Sequence, residues 1–568
     1  MEYEFKFGNG YTPPSHEVLS GRLLSQEIAN INLKIIQKLN YSKNLTIACD
    51  GWTNNLNESI WNFLIYTPDR CEYLWCLKNL SNESHTGVLI AEEIKKIIET
   101  IGSEKFSAIT TDAGSNVQNA RQLISAKFPN ILNLRCIPHA INLISKDICN
   151  IPFANQILTK YNTLVTYFKK SHQAGAALKE EIRKFNIIGG GLKQWVNTRW
   201  HTVYECVNSI IRLKEPLENL RYNSPEILSQ AVISILHSRA FFDDVRVLVF
   251  ILGPVKKAIT ILESRSCNLA DCFCELIHLG ASINKLSLSD HSTFRKQCIA
   301  IFNKRYNEFA DPLYLLCFFL HPQYNESYWA HGTFRELLLA ADEIFKKMGK
   351  TNISRRDLLY QMKLYCTREL PFNISYSMSE TPLIWWFSLE DSFPKNEDYL
   401  VQFALKLFSI VPHAAGCERV WSRLEWLYGL RRNRLALHKI ENMHKLASYY
   451  YSHAKHELPY FGIEKTNTEV FDILVDEYLN LDEDDFVEID EVDLNESEED
   501  TNLSEETDLL LNNILNLNRF EDEFEDDDLS MDEDYYNENR EETSSTNQLQ
   551  EDIDWDPIEE VDKIIKNI

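Results

Sequence analysis

The sequence predicts a mixed α/β sheet layer, a long all-helical region and an acidic terminal segment. Strand-length apolar runs alternate with helical periodicity over residues 41–150. From about 151 to 375 the strand signal fades and amphipathic helical stretches take over. Beyond about residue 470 the chain becomes acidic and low in complexity.

Each element of the α/β part has a local reason. Leu45–Asp50 reads as a buried strand ending in a carboxylate. Ser59–Thr67 and Glu72–Leu80 follow as strands around a turn at Pro68-Asp69. His85–Ile101 repeats apolar residues at helical spacing (Val88, Leu89, Ile94, Ile97, Ile98), with Glu preceding Lys along one face. Phe106–Thr111 is a fourth strand, again closed by a carboxylate, Asp112. Ala113–Phe128 is a helix, Ile131–Arg135 a fifth strand, and Pro138–Ile148 a helix with proline in its first turn. Thr202–Leu220, Ala231–Val249 and Thr293–Phe309 read as long helices, and Pro382–Tyr451 as an aromatic-rich helical segment.

Charge is distributed unevenly. Of 84 Asp and Glu, 38 fall in residues 471–568 beside 4 Lys and Arg; this leaves 46 acidic and 54 basic residues in 1–470. The body is thus mildly basic (+8) although the whole chain carries −26, an asymmetry that points to a nucleic-acid partner or an acidic tail. The opening MEYEFKFGNG lacks a secretory pattern. The most apolar short stretch, Val247–Leu252, is too brief to span a bilayer, so no membrane association is expected. Thirteen irregularly spaced cysteines do not suggest a disulfide framework, and an intracellular setting follows.

Asp50 and Asp112 each end an apolar strand. If those strands are adjacent, both carboxylates reach one sheet edge, where convergent oxygens, water and substrate phosphate suit Mg²⁺. Each could equally cap a turn or the following helix. Position alone leaves both readings open.

Five motifs occur in order: Ala48-Cys49-Asp50-Gly51-Trp52-Thr53, Ile109–Asn116, Arg135–Leu143, Asn197–Thr202 and Val411–Ser422. Together they resemble the hAT superfamily of transposases over roughly residues 12–455. The resemblance implies a ribonuclease-H-like core with a five-stranded mixed sheet, interrupted by a helical insertion. It implies a catalytic, metal-binding triad of Asp50, Asp112 and Glu418, served by Mg²⁺ or Mn²⁺. Trp200 matches a tryptophan that stacks on an extruded base, with Arg199 beside it toward DNA. Cys136 and His139 match a Cys-x-x-His element, read here as packing and hydrogen-bonding residues near the site rather than a zinc site. The implied activity is DNA cleavage with hairpin formation and strand transfer by a nuclear protein that self-associates. Its partners would be transposon-end and target DNA.

Other clusters read more plainly. Cys267, Cys272, Cys274 and His278 fit no common zinc spacing and are expected to pack as small hydrophobes, so no zinc site is predicted in this chain. Gly189-Gly190-Gly191 is a flexible loop without the flanks of a phosphate cradle. Arg431, Arg432, Arg434 and Lys439 form a basic patch or a solvated helix face. Aromatics in Pro382–Tyr451, including Trp385 and Trp386, suit either a dimer interface or the protomer's own core.

The expected organisation is a helical lead-in (1–40), the first part of the core (41–150), a helical insertion (151–375), a dimerisation region completing the core (376–455) and an acidic, largely disordered tail (456–568). The tail's apolar island, Leu509–Leu517, marks it as a candidate segment for binding a further protein. The first cysteine is Cys49, so the paired Cys and His of an N-terminal BED-type finger are not expected. The alternative to an active transposase is a domesticated, catalytically inactive dimeric DNA-associated protein.

Overall fold

The computed structural model describes residues 14–54, 56–194, 202–286, 291–309, 311–324, 329–330, 332–377, 379–394, 397–428, 435–457 and 509–515. These form two compact units. One takes its residues from 1–134 and 409–501, the other from 135–408 and 502–568.

The first unit is built on β1 (Leu45–Thr53), β2 (Ser59–Tyr66), β3 (Glu72–Asn79), β4 (Phe106–Thr111) and β5 (Leu132–Arg135). Their order is β3-β2-β1-β4-β5, with β1 antiparallel to β2 and parallel to β4. This is the ribonuclease-H-like α/β core expected, a five-stranded mixed sheet. Side chains alternate across a strand. Trp61, Phe63 and Ile65 of β2 join Ile47 and Cys49 of β1 in a core with Ile90, Ile94 and Ile98 of the helix Gly87–Ile101. The helix Leu24–Tyr41 adds Ile31, Ile35 and Leu39 to the same core.

Late sequence completes the sheet. β3 is an edge strand with backbone groups that need partners. The helix Leu437–Glu457 covers it: Leu77 N–H donates to Glu441 Oε2 (3.1 Å) and Lys445 Nζ to the Trp75 carbonyl (2.7 Å). Tyr450 of that helix reaches Glu27 (2.7 Å), tying it to the helix Leu24–Tyr41.

Among the described residues, the regular elements of the second unit are helices, apart from Arg135 and an isolated bridge between Trp329 and Leu515. Its boundaries fall at 134/135 and 408/409 rather than at the expected 150/151 and 375/376. The helix Ile137–Asn150 groups with it because Ile141, Ile144, Ile148 and Cys149 form a buried stripe. Trp385 and Trp386 are buried inside this unit, with the Trp386 indole donating to the Leu320 carbonyl (2.9 Å). Of the two readings of that pair, the core reading holds in this chain. No described helix is long and apolar enough to cross a membrane, and all thirteen cysteines are free thiols.

The helical unit also holds a buried ion pair. Arg355 Nε donates to Asp342 Oδ1 (2.8 Å), and its second nitrogen reaches Oδ2. Removing one partner strands the other charge away from water. Asp342→Ala should therefore lower the free energy of unfolding by about 3–5 kcal/mol, read from denaturant curves.

Candidate functional site

The β1–β4 ladder sets the site's geometry. The strands pair in parallel from Ile47↔Ile109 to Ala48↔Thr110. Asp50 and Asp112 each lie two residues further on, so the chain brings them out at the same edge. β1 is longer than expected and runs on to Thr53, because Gly51, Trp52 and Thr53 continue the antiparallel ladder with Trp61, Ile60 and Ser59. Asp50 thus sits inside β1, opposite Asn62, yet beyond the paired part of β4.

The third carboxylate arrives on the helix Ala415–Tyr428, and the residues before it explain how that helix is seated. Val411 lies across β1 and β4: its N–H donates to Thr46 Oγ1 (3.2 Å) and its carbonyl accepts from Thr110 Oγ1 (3.0 Å). Arg70 donates to the Ile410 carbonyl (2.9 Å). Buried His413 stands edge-on to Tyr66. Gly416 is required next, because a Cβ there would collide with the Tyr66 hydroxyl and crowd Leu64. The Cys417 carbonyl accepts from Asn62 Nδ2 (3.0 Å), and Arg419 pairs with Glu72. Glu418, in the helix's first turn, is exposed.

Three residues from Glu418, on the same helical face, Trp421 donates its indole N–H to Asp50 Oδ2 (2.8 Å) and stacks on Trp52 at 5.5 Å. Asp50 Oδ1 accepts from the Gly51 N–H (2.9 Å). Burial pushes the Asp50 carboxyl up from 3.8 to about 6. The Trp421 and Gly51 hydrogen bonds pull it down, while the charges of Asp112 and Glu418 push it up. All three carboxylates therefore share one electrostatic neighbourhood. Arg121, almost wholly buried, holds the end of β4: it donates to the Asp112 carbonyl (2.7 Å), to Asn133 Oδ1 (2.7 Å) and to the Thr111 hydroxyl. Trp421, Trp52 and Arg121 are site residues that sequence reading missed. The Glu418-x-x-Trp421 spacing was the available signal for the first.

The other candidates are placed as follows. Arg199 and Trp200 lie outside the described residues, as do Arg431, Arg432 and Arg434; Lys439 is exposed. Cys136 is buried at the start of the helix Ile137–Asn150, and His139 is half-buried in its first turn; both belong to the helical unit. The Gly189–Gly191 carbonyls face a cation rather than an anion: Arg212 donates to Gly190 (3.1 Å) and Gly191 (3.2 Å).

Cys267 and Cys272 direct their thiols at the Asn268 carbonyl (3.5 and 3.3 Å). Cys274, Glu275 and His278 cluster within 4.8 Å, with His278 Nδ1 3.2 Å from Glu275 and Nε2 3.9 Å from Cys274. Among the described residues this is the one group of three possible ligands so tightly gathered. The Asp50, Asp112 and Glu418 oxygens do not all lie within that distance of one another, so an ion ligated directly by all three would require these side chains to draw together.

Residues 14–164 match the family model described as a domain of unknown function (DUF659). The match spans 151 of 568 residues and contains all five strands, with Asp50 and Asp112 but not Glu418. No curated protein matches the chain.

The raised Asp50 carboxyl gives a pH test. Folded above its unfolded value, the ionised group costs stability at pH 7, and protonation removes that cost as pH falls. In metal-free protein, Asp50→Asn should gain stability relative to wild type at pH 7. The advantage should shrink by about 1–2 kcal/mol between pH 7 and pH 4, after discounting for partial solvent access. A difference that does not change with pH would show that Asp50 does not titrate in this range.

Proposed function

We propose that the chain is an hAT-type, DDE transposase-like protein that binds DNA, self-associates and cuts phosphodiester bonds with Mg²⁺ or Mn²⁺. What supports this reading is that Asp50 and Asp112 leave two neighbouring strands at one edge and that the charge of Glu418, on a late helix, is felt at Asp50. The donor set is all oxygen, which suits hard cations. Burial, with a smaller contribution from the charges of Asp112 and Glu418, raises the Asp50 carboxyl, and a cation held by these carboxylates would favour its ionised form. Such an ion would supply charge neutralisation to the scissile phosphate.

The protein's own residues do the positioning. Trp421 and Gly51 each engage one Asp50 oxygen, fixing the carboxylate's plane while leaving further lone pairs toward the edge. Arg121 fixes the backbone that presents Asp112. A site in the nucleus, transposon ends and target DNA as substrates, and a homodimer belong to the same proposal. Ile384 and Phe387, strongly exposed on the helix Pro382–Ser388, are candidates for the self-association surface.

The test is cleavage of duplex DNA carrying the inverted repeats that flank the gene. Metal-dependent nicking and hairpin formation should occur with wild type and fall at least about 100-fold in Glu418→Gln. Full activity in that variant would remove Glu418 from the site. Trp421→Phe keeps an aromatic ring but removes the donor that lowers the Asp50 carboxyl. Its pH–rate profile should therefore lose activity at a higher pH than wild type on the acidic side. A parallel drop at all pH values would mean that Trp421 only packs.

A further inference from the structure

The acidic end of the chain contains a segment that is seated on the helical unit. Within Leu509–Leu515, Leu510–Asn513 form one short 3-10 turn, and the segment's apolar face is turned inward. Leu509, Leu511 and Leu515 are buried, Leu510 and Ile514 are half-buried, and Asn512 and Asn513 are exposed.

The surface under it is shaped for a backbone. Leu510 N–H donates to Asn303 Oδ1 (3.0 Å), on the helix Ser292–Phe309. At the other end the Ile514 carbonyl accepts from the Ala330 N–H (2.8 Å) and from Thr333 Oγ1 (3.1 Å), and Leu515 bridges to Trp329. Between these anchors lies Gly280 of the helix Leu269–Asn284. A Cβ there would sit 2.9 Å from Leu511 Cδ1 and 3.6 Å from Leu509 Cδ1, so the missing side chain is what lets the leucines settle.

We propose that this groove is a peptide-docking site whose ligand is the chain's own Leu509–Leu515, acting in cis as a releasable latch. Hydrogen bonds to main-chain groups grip the peptide at both ends, and leucine side chains fill the middle. Backbone pairing supplies grip and apolar pockets supply selectivity in peptide recognition generally.

The sequence around the segment explains why it behaves as a ligand rather than as a core element. Residues 458–508 contain 20 Asp and Glu and one Lys, and residues 516–568 contain 20 Asp and Glu and 4 Lys and Arg. Such sequence has little apolar surface to bury. The island is therefore a short apolar ligand set in acidic chain, and tethering offsets its small size: a linked peptide meets its site at an effective concentration on the order of millimolar.

The test uses the full chain and a synthetic peptide of residues 505–519. The Leu511→Asp chain, its latch undone, should bind the wild-type peptide with 1:1 stoichiometry. Wild-type chain should bind it at least about tenfold more weakly, because its groove is filled, and a Leu511→Asp peptide should bind neither. A folded Leu511→Asp chain that takes no peptide, or equal binding by both chains, would overturn the proposal.

Hydrogen exchange on the unmodified chain provides a readout that no variant's misfolding can spoil. Millimolar peptide should speed exchange in Leu509–Leu515 while leaving the surrounding helices protected. Exchange of that segment only through global unfolding would make it a core element. Protection that rises with protein concentration would place it in a second chain's groove. Either result overturns the cis latch.

Discussion

The parallel pairing of β1 with β4 is the constraint on which the site depends. Ala48 opposite Thr110 fixes the register, and the two aspartates follow from it. The pairing creates an electrostatic liability, because half-buried Asp50 is partly stripped of water and also lies in the field of Asp112 and Glu418. Partial relief comes from the Trp421 indole and the Gly51 amide. What remains is an edge biased toward a cation, held in place by Arg121 behind β4 and by the helix Ala415–Tyr428 over β1 and β2.

The seating of that helix explains why Glu418 comes so late in sequence. The chain leaves the first unit after Leu134 and returns at Ser409. On return, Val411 bonds to Thr46 and Thr110, one residue from each of the two strands that carry the aspartates. The helix Leu437–Glu457 then closes the β3 edge with Glu441 and Lys445. The late segments are structural parts of the sheet unit, and a carboxylate delivered by them is placed as firmly as one on a strand.

Much of this was legible from periodicity. All five strands and the helices following β3, β4 and β5 lie within a few residues of their expected places, since apolar runs of strand length and helical repeats are local signals. The β1 boundary was not: Gly51, Trp52 and Thr53 look like a turn in isolation and become strand only because β2 pairs with them. Asp50 and Asp112 stood out as strand-terminal carboxylates. Arg121 and Asn62 could not be assigned by spacing, because their partners lie from ten to several hundred residues away; the Glu418-x-x-Trp421 spacing placed Trp421 beside Glu418 but not its bond to Asp50. Trp385 and Trp386 fitted an interface or a core equally well by composition, and burial decided for the core. The Leu509–Leu515 island was visible, but the groove that receives it is assembled from residues 280, 303, 329, 330 and 333, and no local pattern announces it.

The three carboxylates on the sheet unit are proposed to form a divalent-cation site. Anomalous diffraction from crystals soaked in Mn²⁺ tests it most directly. An anomalous peak bounded by Asp50, Asp112 and Glu418 is expected, lost in Asp112→Asn crystals. A peak elsewhere with none at this edge, under conditions that saturate other Mn²⁺ enzymes, would contradict it.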